Sequence, residues 1–354
     1  MLKFLDRTVG RFAITFISCP ATPRANQLAT LLLIRPGGIG DAVLLAPAII
    51  GLKKKFPEAT ITILAEKRNA GVFALILGVD RLLRYDVPGE FLAALRLHPD
   101  LVIDTEQYHR LSAVVARMTG AGTCIGFGPN ERARLFHHAV PYSHDDYEVE
   151  SFFHLLEPLG IGPSPLAPLF LSVPTQAQGR AAELLSALED RPLVTLFPGA
   201  SIPERRWGSE RFAQVAARFA QRGFGIVVIG GREDAESGAA IAQAASGLSL
   251  AGRTTLAETA AILSRSALLV SGDSGVLHLA VGLGIPTVSL FGPGIAAKWA
   301  PRGPKHIIIN KHLPCSPCTK FGYTPKCPRN GECLARISVE EVLAASLALL
   351  PEIN

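Results

Sequence analysis

The chain has 354 residues, 48% of them hydrophobic, and this length predicts two domains that each bury a core. The net charge of +5 favours an anionic partner, but the charges are too dispersed along the chain to indicate a nucleic acid. Gly, Pro or His interrupts the longest uncharged stretches, so we expect no transmembrane helix.

Residues 1–20 have the pattern of an amphipathic helix. Apolar residues recur every three or four positions, at Leu2, Leu5, Val9, Phe12 and Phe16, and basic residues lie between them. Such a helix suits either an anionic membrane surface or a groove on the protein itself. A signal peptide fits less well because Arg11 shortens the uninterrupted apolar run to residues 12–18.

Alternating strands and helices follow, and they predict an N-terminal domain over residues 28–170. We predict its strands at 28–34, 59–64, 80–86, 100–104 and 123–127. The first strand leads through the turn "RPGGIG" into one helix, "DAVLLAPAIIGLKKKF", which ends in three lysines at its negative pole.

A second series predicts a C-terminal domain over residues 175–335, followed by a C-terminal helix over 336–354. Its strands lie within "RPLVTLFPGAS", "FGIVVIGG", "LSLAG", "SALLVSG" and "TVSLFG". Ser209 is the expected N-cap of one helix, and Thr255 with Glu258 forms the capping box of another. A further helix starts at Gly275 and ends near Gly284.

Strands that alternate with helices predict parallel sheets covered on both faces, so the fold class is α/β with two Rossmann-like domains. Ligands bind outside the carboxyl ends of such strands. We therefore expect the two domains to face one another across a cleft that holds the site.

Three loops that follow strands of the second domain carry groups suited to a nucleotide. These groups are Ser201, Arg205, Arg206, Glu233, Asp273, Ser274 and Gly275. Arginine can grip phosphate oxygens, a carboxylate can accept the hydroxyls of a ribose, and the amides at a helix start favour an anion. Each group taken singly is better explained as a helix cap or a solvated charge, but together they predict a nucleotide site.

The corresponding turn of the first domain carries an acid. Its glycines, at 37, 38 and 40, depart from the dinucleotide fingerprint G-x-G-x-x-G. Asp41 lies near the helix start, where its carboxylate would repel a phosphate. It is therefore either a helix cap or a general base for a hydroxyl substrate.

Four segments together resemble the heptosyltransferases of glycosyltransferase family 9. They are "RPGGIGDAVLLAPAI", "FPGASIPERRWGSERFAQVA", "VIGGREDAE" and "DSGVLHLAVGLGIPTVSLFGP", in that order. The resemblance implies a GT-B fold and an inverting transfer that requires no metal or other cofactor. It also implies a nucleotide-sugar donor, usually ADP-heptose, and a lipid-linked glycan acceptor. Lipopolysaccharide core assembly occurs at the cytoplasmic face of the inner membrane, so a cytoplasmic protein in peripheral membrane contact is expected.

The resemblance further implies roles for individual residues. Asp41 matches the aspartate that acts as catalytic base. The donor phosphates would be contacted by Ser201 and Arg205, and the donor sugar and phosphates by the loop of Asp273, Ser274 and Gly275. Arg206, which is not matched to a family residue, is a candidate second charge at the leaving group.

Two assignments stay open. Glu233 matches a glutamate that contacts the ribose, although Asp234 or Glu236 could take that position. His278, one turn into the donor helix, is either a donor contact or a packed helix residue.

The chain departs from the family pattern in two ways. Many relatives have threonine, aspartate and proline after "FGP", where this chain has Gly294, Ile295 and Ala296, so the donor sugar stays open. Arg205 stands where relatives have lysine, which keeps the charge and changes its geometry.

Four cysteines, Cys315, Cys318, Cys327 and Cys333, follow one another with the spacing C-x2-C-x8-C-x5-C. This spacing is compatible with a tetrahedral zinc site, although the second pair lacks the usual C-x2-C spacing. The alternative is four structural thiols that close a loop, since disulfides are disfavoured in a reducing cytoplasm.

The sequence therefore predicts a glycosyltransferase that moves a heptose or a related sugar onto a lipopolysaccharide-type acceptor. Two other functions stay open: a nucleotide-sugar epimerase of similar two-domain build, and a non-catalytic nucleotide-sugar or glycan-binding protein. We expect Gln107–Gly120 to border the acceptor.

Overall fold

The computed structural model describes residues 28–163, 167–188, 191–320 and 323–350, together with Asp6, Gly10 and Ile14. The chain divides into two compact units, Met1–Ala167 and Pro168–Asn354. Each unit contains a six-stranded parallel sheet with helices packed against it. Both sheets have the strand order of a Rossmann fold.

The sheet of the first unit has the order β3-β2-β1-β4-β5-β6. Its strands are β1 (Thr30–Arg35), β2 (Thr60–Ala65), β3 (Arg81–Arg84), β4 (Leu101–Asp104), β5 (Thr123–Phe127) and β6 (His138–Val140). Its helices are α1 (Ile39–Leu44), α2 (Ala46–Lys55), α3 (Lys67–Phe73), α4 (Pro88–Leu95), α5 (Arg110–Met118) and α6 (Glu148–His154). Strands β1 and β2 are apolar and buried along almost their whole length, as central strands covered on both faces must be.

The sheet of the second unit has the order β12-β11-β10-β7-β8-β9. Its strands are β7 (Leu193–Phe197), β8 (Gly225–Val228), β9 (Leu248–Ser249), β10 (Ser266–Gly272), β11 (Thr287–Phe291) and β12 (His306–Asn310). Its helices are α7 (Thr175–Leu185), α8 (Ser209–Ala220), α9 (Ala235–Gln243), α10 (Leu256–Ser264), α11 (Gly275–Gly282), α12 (Ala296–Trp299), α13 (Glu332–Ala335) and α14 (Val339–Leu347). One core cluster joins buried residues of β7, β8, β10 and β11 to those of α8 and α14.

Two local predictions are wrong. The single helix expected from Asp41 is two helices, α1 and α2, because Pro47 near the start of α2 has no amide to continue the first one. The N-cap of α8 is Gly208, with a φ of +111°, and Ser209 is already the first helical residue. Its hydroxyl therefore makes no cap hydrogen bond.

Two other local predictions are confirmed. The hydroxyl oxygen of Thr255 accepts a hydrogen bond from the Glu258 amide at 3.3 Å, and the Glu258 carboxylate accepts one from the Thr255 amide at 2.7 Å. Beyond α11, Gly284 adopts a φ of +72°, which favours glycine and ends the helix.

The predicted N-terminal helix over residues 1–20 lies outside the described residues, except at Asp6, Gly10 and Ile14. The Asp6 carboxylate accepts hydrogen bonds from the amides of Arg110 and Leu111, at 2.6 and 2.9 Å, at the start of α5. Ile14 is buried in the core of the first unit. Helices among the described residues are all too short or too polar to cross a bilayer.

Candidate active site

Each sheet reverses its strand order at one point, between β1 and β4 in the first unit and between β7 and β10 in the second. Loops on either side of such a point diverge and leave a crevice, which is where open α/β sheets bind ligands. Asp41 follows β1, Arg205 follows β7 and Asp273 follows β10. The predicted chemical groups therefore lie at the switch point of each sheet.

Asp41 lies in the first turn of α1. Its Oδ2 atom is 3.4 Å from Nη2 of Arg35, the last residue of β1. The Asp41 side chain is 29% exposed, whereas the Arg35 side chain is 2% exposed. Of the two side chains, the acid is therefore accessible to solvent and the cation is not.

The turn before α1 is braced by residues that follow the neighbouring strands. Gly37 adopts a φ of +108°, a conformation that favours glycine, and its amide donates to Glu66 Oε1 at 3.4 Å. Glu66 also accepts a hydrogen bond from the Tyr85 hydroxyl. Burial raises the pKa of Tyr85, and the Glu66 carboxylate raises it further, so the hydroxyl stays a donor.

A buried polar cluster in the same unit extends from β4 to α6. The Tyr142 hydroxyl donates to Glu148 Oε2 at 2.9 Å, and Gln107 Nε2 donates to Glu148 Oε1 at 2.6 Å. Burial raises the pKa of Tyr142 well above its usual value, and the charges of Glu148 and Asp41 act in the same direction. Because the raised pKa keeps Tyr142 protonated, its hydroxyl remains a hydrogen-bond donor to Glu148.

In the second unit, Arg205 ends a 3₁₀ turn in the loop after β7. Its Nη1 atom lies 3.1 Å from Oδ2 of Asp273, and here the acid is the more buried partner, 8% exposed against 20% for Arg205. The Nε atom of Arg205 is buried and has no hydrogen-bond acceptor among the described residues. A guanidinium nitrogen in this state is suited to a phosphate oxygen.

The start of α11 lies next to this pair. The hydroxyl of Ser274 accepts a hydrogen bond from the Leu277 amide at 3.2 Å, so Ser274 caps the helix. A Cβ atom at Gly272 would lie 3.1 Å from the carbonyl oxygen of Arg205, which shows how closely the two loops approach. The structure therefore brings Asp273, Ser274 and Gly275 together with Arg205.

Gly294, which departs from the family pattern, lies against Asp273. A Cβ atom at position 294 would overlap the Asp273 carboxylate. The loop after β11 therefore approaches Asp273 so closely that only glycine fits without a shift. A larger residue at position 294 would therefore displace the Asp273 carboxylate or the loop.

Asp234, one alternative for the ribose contact, has a structural position instead. It is buried, and its Oδ2 atom accepts a hydrogen bond from the Gly231 amide at 2.9 Å. A Cβ atom at Gly199 would overlap the Asp234 carboxylate, so this side chain fills the space between the loops after β7 and β8. Burial raises the pKa of Asp234.

The remaining predicted donor residues differ in exposure. Ser201, Arg206, Glu233 and Glu236 are exposed, so their side chains are open to a ligand. Arg206 donates to the Ala200 carbonyl oxygen at 3.2 Å. His278 is buried within α11.

The comparisons with known proteins identify the family. The family model of Glycosyltransferase family 9 (heptosyltransferase) matches residues 91–327. The chain belongs to glycosyltransferase family 9. It is 28% identical over 347 residues to lipopolysaccharide heptosyltransferase 3 of Escherichia coli K12, which covers 88% of this chain and 96% of the relative.

Solved structures of glycosyltransferase family 9 share the fold. The E. coli ADP-heptose lipopolysaccharide heptosyltransferase II gives a TM-score of 0.76 at 21% identity, covering 90% of this chain and 98% of that one. A family 9 glycosyltransferase from Veillonella parvula gives 0.76 at 22% identity, covering 92% and 99%. The predicted family and the predicted α/β fold are both confirmed.

Four cysteines of this family 9 chain line one cavity, namely Cys315, Cys318, Cys327 and Cys333. Burial raises the pKa of Cys318 and Cys333, and the other thiols of the cavity raise it further. Within the described ranges, however, no three His, Cys, Asp or Glu side chains are arranged to hold a metal ion. The zinc prediction therefore gains no support from the arrangement of these thiols.

Sequence reasoning does not single out Arg35, Tyr142 or Glu148. Arg35 and Glu148 have contacts with segments that lie far apart in the chain: Arg35 donates to the Thr105 carbonyl oxygen, 70 residues away, and Glu148 accepts from Gln107, 41 residues away. The one available signal is an arginine at the end of an otherwise apolar strand, because a buried charge there requires partners.

Proposed function

We propose that this family 9 glycosyltransferase transfers a heptose from ADP-heptose to a lipopolysaccharide core glycan with inversion at the anomeric carbon. The proposal is supported by the family and by the names of the relatives, which are lipopolysaccharide heptosyltransferases, one of them named for ADP-heptose. The observations that carry it are a partly exposed acid at the strand-order switch of the first unit and, at the switch of the second unit, an arginine whose buried Nε has no acceptor among the described residues.

Asp41 acts as the general base in this proposal. It takes the proton of the acceptor hydroxyl while that oxygen forms a bond to the anomeric carbon. The bond from this carbon to the diphosphate oxygen breaks at the same time, and its electron pair leaves with ADP. A partly exposed carboxylate suits this role because the acceptor must reach it.

The second unit stabilises the leaving group. Arg205, assisted by the exposed Arg206, would meet the negative charge that grows on the diphosphate oxygen. The amides at the start of α11 and the loop of Asp273, Ser274 and Gly275 would hold the phosphates and sugar. Ser201 would contact a phosphate, Glu233 the ribose and His278 the donor from within its helix.

The direct test is to incubate the purified protein with ADP-heptose and a panel of lipopolysaccharides truncated at successive core sugars. We expect ADP release only with an acceptor of suitable core length, with heptose added to that acceptor. Conversion of the donor without any acceptor would favour an epimerase. Binding of ADP-heptose, measured by thermal shift, without turnover on any acceptor would favour a binding protein.

The proposed reaction needs no cofactor. We assign no step to a metal, and the proposed role of the four thiols that line the cavity is structural. Metal analysis of protein purified without chelator tests the zinc prediction. Protein that contains no zinc would exclude a structural zinc site.

We also propose that residues 1–20 bring the protein to the inner membrane, while Asp6, Gly10 and Ile14 pack on the first unit. The packing is supported by the positions of Asp6, Gly10 and Ile14, which are spaced four residues apart. Replacing Lys3, Arg7 and Arg11 by glutamate should reduce sedimentation with anionic vesicles, and equal sedimentation would contradict membrane contact.

A further inference from the structure

Arg35 is a buried cation whose contacts converge on Asp41. Its Nη1 atom donates to the Thr105 carbonyl oxygen at 2.7 Å, just beyond β4, and its guanidinium lies 5.6 Å from the Phe152 ring centroid. Thr105 follows β4, which lies next to β1 at the strand-order switch, so the guanidinium is held by a segment from the other half of the sheet. The remaining terminal nitrogen, Nη2, is the one that meets Asp41.

The turn before α1 is shaped to admit this guanidinium. A Cβ atom at Gly37 would lie 3.0 Å from Arg35 Nη2, tighter than ordinary contact. The positive φ of Gly37 likewise favours glycine. Both features keep space open between the end of β1 and the first turn of α1.

The energetics of the pair do not suggest a stabilising ion bridge. A buried charge is costly unless it is well paired, yet Arg35 Nε has no hydrogen-bond acceptor among the described residues. Nη2 and Oδ2 are 3.4 Å apart, a loose contact for a charged pair. A buried arginine held in this way is better explained by what it does to Asp41 than by its contribution to stability.

We propose that Arg35 is the positioning residue of the catalytic base. It engages Oδ2 of Asp41, so that Oδ1 is the oxygen that takes the acceptor proton. This inference rests on the proposed role of Asp41 and assigns Arg35 no contact with either substrate.

The test is a double-mutant cycle between positions 35 and 41. Arg35→Met and Arg35→Lys are made in the wild type and in Asp41→Asn, and steady-state kcat and the KM for ADP-heptose are measured with the best acceptor of the panel. We expect Arg35→Met to lower kcat by about 10- to 100-fold with little change in the KM for ADP-heptose, and Arg35→Lys to recover part of it. In Asp41→Asn, Arg35→Met should change the rate less than about twofold, since the group it positions is gone.

Arg132→Lys is the matched control for Arg35→Lys. Arg132 is also fully buried in the first unit, lies 5.4 Å from the Phe136 ring centroid and pairs with Asp104. Its effect on rate should be equal in both backgrounds, because it acts only through folding.

An equal factor for Arg35→Met in both backgrounds, or a wild-type kcat in that variant, would overturn the inference. A wild-type rate in Asp41→Asn alone would instead refute Asp41 as the base. Failure of the proposed function and failure of this inference are therefore distinguishable.

Discussion

The arginine–aspartate pairs of the two units expose opposite partners. In the first unit Arg35 is buried and Asp41 is the more exposed, whereas in the second Asp273 is buried and Arg205 is the more exposed. Both pairs lie at the strand-order switch of their sheet. Burial therefore decides which partner a ligand can reach: the acid in the first unit and the cation in the second.

Removing the acid of the first pair, Asp41, should have the largest effect on activity. We expect Asp41→Ala to lower transfer by about 100- to 10,000-fold, the usual contribution of a general base. The thermal shift on adding ADP-heptose should stay, because the donor groups lie in the other unit. Unchanged turnover would remove Asp41 from the mechanism, and Asp41→Asn, which preserves shape, controls for the unpaired Arg35.

Removing the cation of the second pair, Arg205, should have the second largest effect on activity. We expect Arg205→Ala to lower kcat/KM by about 100- to 1,000-fold, as loss of a transition-state charge partner commonly does. It also leaves Asp273 buried without its cation, near the predicted phosphate position.

Arg205→Lys should restore part of the rate because it keeps the charge. Arg218→Ala, which removes an exposed arginine of α8, is the matched control and should leave kcat/KM unchanged. Equal rates for Arg205→Ala and Arg218→Ala would separate Arg205 from donor chemistry.

The next prediction displaces the buried acid of the second pair, Asp273, without removing its carboxylate. Gly294→Ala places a Cβ atom against the Asp273 carboxylate and displaces it from its position beside Arg205, so we expect about tenfold weaker ADP-heptose binding, about 1.4 kcal/mol. Gly179→Ala is the control, because a Cβ atom there meets nothing within 4 Å. Titration by thermal shift compares the two variants, and equal affinities would mean that the Asp273 position does not govern donor binding.

The smallest effect concerns Asp234, a buried acid assigned no catalytic role. Asp234→Ala should lower the free energy of unfolding by about 1–3 kcal/mol, because the Gly231 amide loses its acceptor. Asp234→Asn keeps an acceptor and should change it by less than about 1 kcal/mol.

The pH dependence of Asp234→Asn follows from the raised pKa of this acid. Ionised Asp234 is disfavoured in the fold, so the wild type loses stability as pH rises through the folded-state pKa. The asparagine variant lacks that loss and should gain relative to the wild type from acidic to neutral pH. Chemical denaturation at several pH values measures this difference, and a constant difference would contradict it.

Most strands and helices could be predicted because their signals are local. Apolar runs of five or six residues, such as those of β1 and β7, appear in the sequence as buried strands. The outer strands β6 and β12 are not predicted, since β6 has only three residues and the short isoleucine run of β12 is partly exposed. The break between α1 and α2 is missed because one proline interrupts an otherwise regular helical pattern.

The residues of the candidate site also divide into those that the sequence reveals and those that only the structure distinguishes. Asp41, Arg205 and Asp273 are visible in the sequence because they follow apolar strands, where α/β sheets bind ligands, and because the family motifs contain them. Asp234 could not be told from Glu233 by pattern, since both follow the same strand. Only the structure shows that one is buried between two glycine loops and the other is exposed.

The sequence by itself determined the alternation of strands and helices, the family, and which loops carry acid and which carry arginine. The tertiary structure alone decided which acid meets which arginine and which of the two is buried. The physical reason is distance along the chain. Local propensity follows from neighbouring residues, whereas the contacts from Arg35 to Thr105 and from Arg205 to Asp273 form only when parallel strands align their carboxyl ends.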